Sequence, residues 1–140
     1  MFDIRADRDV VINAIQFYSY STEDSNGIVE VYWRSGSYKG SEFSSSGWNL
    51  AYDRDTEYYN LERLAVLDGL DVSISQGSTV GFFIFMQPDR IRYENMQGRE
   101  TDVIDDNIQV LDGSGLTYST KWVGNNDNVY PERAFRGNIM

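Results

Sequence analysis

Apolar residues recur at every second position along most of this chain, and that period of two is what most limits its fold. Residues 28–34 show it plainly: Val29, Val31 and Trp33 share one face, and Ile28, Glu30, Tyr32 and Arg34 share the other. The first set reads as a core face and the second as exposed or half-exposed. Residues 10–20 divide into Val11, Ile15 and Phe17 against Ile12, Ala14, Tyr18 and Tyr20. Residues 80–86 are the most hydrophobic run and read as a central strand. Residues 61–67 fit either period, with Asn60 as a helix cap. The turns at Asp68-Gly69 and Gln76-Gly77 cut the region to strand length and favour a strand. Further strands are expected at 2–6, 48–52, 71–75, 91–96, 107–111, 116–123 and 135–140. Polar residues fill 53–60 and 97–106.

Roughly nine or ten short strands spaced about 8–12 residues apart, with no βαβ rhythm, predict an all-β fold. The expectation is a single antiparallel β-sandwich over residues 1–140, jelly-roll-like, with Val29, Val31, Trp33, Phe83 and Phe85 in the core. Residues 2–6 and 135–139 are expected side by side, pairing in one sheet, because apolar edge strands need partners.

Composition narrows the chemistry. The chain has 140 residues, enough for a core without staples. It carries 22 Asp+Glu against 12 Lys+Arg, a formal charge of −10, which disfavours nucleic acid and anionic membranes. With no Cys and no His, thiol catalysis, Cys-ligated zinc and every His-containing triad are excluded. No apolar run is long enough for a transmembrane segment. The chain has ten Tyr and seven Phe, residues that suit pleated surfaces.

At Tyr32-Trp33-Arg34-Ser35-Gly36-Ser37-Tyr38-Lys39-Gly40-Ser41-Glu42, followed by Trp48, the sequence resembles a β-sandwich module of secreted and cell-surface proteins. That module occurs in algae such as diatoms and in bacterial exported proteins of the PEP-CTERM type. Met1-Phe2-Asp3-Ile4-x-Ala6 is similar to its start, and Gln109-Val110-Leu111-x-Gly113-x-Gly115 to a late strand and turn. Arg133-Ala134-Phe135-Arg136-Gly137-Asn138-Ile139 is similar to its closing strand, with Phe135 where Trp is more usual. The resemblance implies an extracellular or cell-surface setting and no catalytic role. It also fits one module of a larger surface protein, with Met1 an excision point.

The long Ser- and Gly-rich loop at 35–47 is the expected recognition site. Arg34, Tyr38, Glu42 and Trp48 supply an aromatic platform, a cation and a carboxylate, the groups that bind sugars. The alternative is that Tyr38 and Trp48 plug the sandwich end while Glu42 and Arg34 hold the loop. Calcium takes six to eight oxygen ligands. Asp102, Asp105, Asp106 and Asn107 form one oxygen-rich cluster, and Asn125 to Asn128, with Asp127, another. Asp53, Asp55 and Glu57 form a third. Solvated turns are the alternative for each. No carboxylate pair, nucleophile elbow or phosphate loop marks an enzyme. The expected function is therefore a non-catalytic adhesion module for carbohydrate, with Ca²⁺ a candidate cofactor. The alternative is a structural subunit of a surface layer, filament or other assembly, whose partner is a surface protein.

Overall fold

The computed structural model describes residues 1–20, 25–58, 64–87, 91–95, 101–104, 106–116 and 121–140. The described residues form twelve strands and no α-helix: β1 (Phe2–Ala6), β2 (Val10–Tyr18), β3 (Ser25–Ser35), β4 (Asn49–Tyr58), β5 (Leu64–Ile74), β6 (Thr79–Gln87), β7 (Tyr93–Asn95), β8 (Thr101–Ile104), β9 (Ile108–Leu111), β10 (Gly113–Leu116), β11 (Val129–Phe135) and β12 (Gly137–Ile139). A 3-10 turn at Asn126–Asn128 precedes β11. No helix among these residues is long and apolar enough to cross a membrane.

Every pairing between these strands is antiparallel among the described residues. One sheet of six strands runs β4-β3-β6-β1-β9-β8, and two three-stranded sheets run β12-β2-β5 and β10-β11-β7. The small sheets meet where Ser19 bridges Ile91 and the Arg92 amide donates to the Tyr18 carbonyl at 2.8 Å. One apolar cluster fills the space between the layers. Ile4, Val29, Val31, Phe82 and Ile84 come from the large sheet, and Ile15, Phe17, Leu67, Val72 and Ile74 from β2 and β5. Each such side chain contributes about 1.5–3 kcal/mol on leaving water.

Several expectations need correction. Phe83 and Phe85 are not in this core. Side chains alternate along β6, so Val80, Phe82, Ile84 and Met86 face inward while Phe83 and Phe85 lie on the outer face. Trp33 lines the core edge, half-buried. In β2 a register shift between Ile12 and Ala14 breaks strict alternation, so Ile12 and Ala14 are buried along with Ile15 and Phe17. Asp68-Gly69 is no strand-ending turn: Gly69 (φ 80°) and Asp71 (φ 53°) bend β5 and the strand continues. The polar stretch after Tyr52 stays extended to Tyr58 because it pairs with β3. Residues 101–104, also within a polar stretch, form β8. The turn expected at Asp112 is a crossing instead, with β9 in one sheet and β10 in another.

The two ends approach one another but do not pair. The Phe2 and Phe135 rings stack at 4.5 Å between centroids. However, β1 lies between β6 and β9, while β12 pairs with β2.

Candidate functional site

The outer face of the large sheet is built from strand alternation. Glu30, Tyr32 and Arg34 on β3 stand beside Phe85, Phe83 and Gly81 on β6 in register. This face is not left bare. The loop after β3 folds back over it because Gly81 has no side chain: a Cβ there would lie 2.7 Å from the Tyr38 amide nitrogen. The Tyr38 amide donates to Asp3 Oδ1 at 2.9 Å, and the Ser37 hydroxyl donates to Asp3 Oδ2 at 2.5 Å. Burial raises the Asp3 carboxyl above its usual range, against the lowering effect of these two bonds. The Tyr38 hydroxyl meets Ser114 Oγ at 3.0 Å, and burial pushes its pKa up to about 12. Lys39 pairs with Asp112 at 3.0 Å.

Beyond this anchor the loop delivers Trp48 to the sheet, its indole N–H donating to the Ser41 carbonyl at 3.3 Å. From the other side, Trp122 arrives with φ 64°, a conformation uncommon for a bulky residue. The Trp48 and Trp122 rings lie 5.5 Å apart. Trp122 stands edge-on to Phe83 at 4.9 Å and to Tyr32 at 5.4 Å. Phe83 is buried beneath, while Tyr32, Trp48 and Trp122 are half-buried and keep part of their surface open.

Charges rim these rings. The Arg34 guanidinium carbon lies 5.6 Å from the centre of the Trp48 ring. Arg34 Nε and Nη1 are buried with no hydrogen-bond partner among the described residues. Lys121 Nζ donates to Glu30 Oε1 at 2.6 Å and to the Tyr32 hydroxyl at 2.7 Å. Burial alone would lower the Lys121 pKa, but its bonds to Glu30 and Tyr32 hold it above the usual lysine value.

Of the four residues expected at a recognition site, Arg34 and Trp48 come together. Tyr38 is only 1% exposed and fastens the loop, so it offers no face to a ligand. Glu42 is half-buried on the side of the loop where its charge acts on the Tyr38 hydroxyl and the Met1 amine. Trp122, Lys121, Glu30, Tyr32 and Phe83 were not expected at the site. The signal for Glu30 and Tyr32 is their alternation with Arg34. Trp122 carries no local signal, because a turn far along the chain brings it there.

The oxygen-rich clusters fare differently. Asp105 and the side chain of Asp102 lie outside the described residues. Asp106 is exposed and Asn107 half-buried, and Arg8 donates to the Asp106 carbonyl at 3.0 Å. Asn125 Oδ1 accepts from the Asp127 amide at 3.0 Å, and Asn128 Oδ1 from the Asn125 amide at 3.1 Å. These oxygens close the turn on itself. Asp53 and Asp55 stand two residues apart along edge strand β4, which separates them by about 6.5 Å, and Glu57 follows at the same spacing. That row blunts a sheet edge against pairing with other chains. Among the described residues no three acidic side chains converge as metal ligands.

No protein family, curated protein or solved structure matches this chain.

Proposed function

We propose that this protein is a non-catalytic extracellular adhesion module that binds carbohydrate on the outer face of its large sheet. The observation that carries the reading is the cluster of Tyr32, Trp48 and Trp122, held over buried Phe83 and rimmed by Arg34, Glu30 and Lys121. Indole and phenol faces take the C–H face of a sugar ring, and the rim charges take its hydroxyls. The site is rigid, because it stands on paired strands and a doubly anchored loop. The resemblance of residues 32–48 to surface modules supports the extracellular setting. Against the alternative of a building block assembled edge to edge stands the acidic row on β4.

The test is a glycan array with and without EDTA, repeated with Trp122→Ala and Arg34→Ala. Binding should fall at least about tenfold in each variant, the share expected of one aromatic or charged contact. Retained melting temperatures are required for that comparison. Wild-type protein that binds no glycan would refute the reading, whereas EDTA-sensitive binding would assign Ca²⁺ a part in it.

A further inference from the structure

The two cations on the aromatic face are committed differently. Lys121 Nζ gives its hydrogen bonds to Glu30 and to the Tyr32 hydroxyl. Arg34 offers N–H donors in a planar fork. Its Nε and Nη1 are buried with no hydrogen-bond partner among the described residues. Its guanidinium carbon lies 5.6 Å from the Trp48 ring centre, a contact between charge and ring face that satisfies no donor. Lys39, Lys121 and Arg136 each pair with a carboxylate, whereas Arg34 has no such pair among the described residues. A partly desolvated cation is costly until an anion meets it.

The loop leaves that anion a way in. Gly47 is exposed, with φ 78°. Apart from its two chain neighbours, one heavy atom among the described residues comes within 4 Å of where a Cβ there would stand: Arg34 Nη2, at 3.9 Å. The Gly47 side of the guanidinium is thus kept open by the lack of a side chain, next to Trp48 in the chain. The other end of the face is acidic. Four residues along β3, about 13 Å from Arg34, stands Glu30. It lies in register with Asp53 of β4, and Ile28 with Asp55. Residues opposite one another share a face, so these carboxylates line up beyond Glu30, whose own charge Lys121 answers. An anion is repelled at that end and drawn to Arg34.

We propose that the carbohydrate bound on this face is acidic: a sugar with a carboxylate or sulfate, whose oxyanion bonds to the Arg34 guanidinium from the Gly47 side while its ring lies on Trp48. The inference rests on the carbohydrate reading of the aromatic face and adds the class of sugar. The uncharged remainder of the saccharide runs over Trp122 and Tyr32 toward Glu30, which accepts from hydroxyls. Selectivity follows from Arg34, because a neutral hydroxyl does not replace a charge-assisted bond to a guanidinium.

A glycan array that carries each acidic glycan beside its neutral parent tests it on the whole chain. Oligogalacturonates beside their methyl esters probe the carboxylate, and sulfated galactans beside their desulfated forms probe the sulfate. The acidic member of at least one kind of pair should bind at least about tenfold more tightly, and the kind that does so names the anion. Raising NaCl from about 50 to about 500 mM should weaken the acidic member and spare the neutral one, since salt screens a charge pair. Arg34→Gln should bring the two members of a pair to equal affinity, whereas Trp122→Ala should weaken both at an unchanged ratio. If Arg34→Gln fails to fold, the salt dependence of the wild type decides. Neutral members bound as tightly as acidic ones, binding confined to neutral glycans, or an acid preference that survives high salt or Arg34→Gln would overturn the proposal and leave the carbohydrate reading standing. Binding of no glycan at all would refute that reading, and the proposal with it.

Discussion

Asp3 carries two of the bonds that hold the loop after β3, one from the Tyr38 amide and one from the Ser37 hydroxyl. Removing a charged acceptor leaves both donors unmet, so Asp3→Ala should cost about 2–3 kcal/mol in a urea melt. Asp3→Asn keeps an acceptor and removes the titration. Because burial raises the native carboxyl above its ordinary 3.8, the folded state holds its proton at pH values where the unfolded state has lost it. The contribution of this group is therefore full below 3.8 and is lost as pH rises through the raised native value. The stability of wild type relative to Asp3→Asn should accordingly fall as pH is raised above the ordinary carboxyl value of 3.8 and through the raised native one. A flat difference across that range would contradict the assignment. Tyr38→Phe deletes only the hydroxyl contact with Ser114. It should cost about 1 kcal/mol and leave the proposed glycan binding unchanged, since the ring is buried away from the aromatic surface.

The loop and β6 work as one unit, because the loop lies where Gly81 leaves room. A Cβ at Gly81 would press on the Tyr38 backbone at 2.7 Å. Gly81→Ala should cost about 1–3 kcal/mol. It should also strip hydrogen-exchange protection from the Tyr38 amide while the β6 amides stay protected. Gly69→Ala is the control: its φ is +80° but nothing lies within 4 Å, so it meets backbone strain alone, about 1–2 kcal/mol. Equal losses of Tyr38 protection in both variants would mean that the loop does not depend on the gap over Gly81. The same element logic separates the two faces of β6. Phe82 and Ile84 hold the layers together, whereas Phe83 supports the Trp48 and Trp122 rings from beneath.

For the whole molecule, the C-terminal residues cover one edge of β2. β12 pairs with β2, and Met140 exchanges backbone bonds with Ala14 at 2.9 Å in both directions. Gly137 lies against the Gln16 carbonyl so closely that a Cβ would sit 1.8 Å from its oxygen. Deleting residues 137–140 uncovers one edge of β2 and should lower the melting temperature by at least about 10 °C. A truncated chain that melts at the original temperature would show that β2 and β5 suffice alone. Phe2 and Phe135 then provide the cross-layer contact that pairing of the end strands was expected to supply.

The all-β character and most of the strands were legible in the sequence, since a period of two with no helical rhythm leaves few alternatives, whereas β8 and β10 lie in stretches read as polar or as a turn and most of β11 in one not read as a strand. Equally legible was the half-exposed face of Glu30, Tyr32 and Arg34, because alternation within one strand is a local property. Local pattern does not say which face of a strand meets which layer. Phe83 and Phe85 are as hydrophobic as Phe82 and Ile84, and only the pairing of β6 with β3 and β1 decides which pair faces the core. The polar strand after Tyr52 was hidden for a related reason: its side chains look outward, and the backbone bonds that keep it extended belong to β3. Tertiary structure alone brings Trp122 over Trp48 and sinks Tyr38 beneath its loop, because both depend on contacts between residues far apart in the chain. The sequence determined that the chain would form strands rather than helices; the packing of one strand against another decided where several of them run and which side chains stay open to solvent.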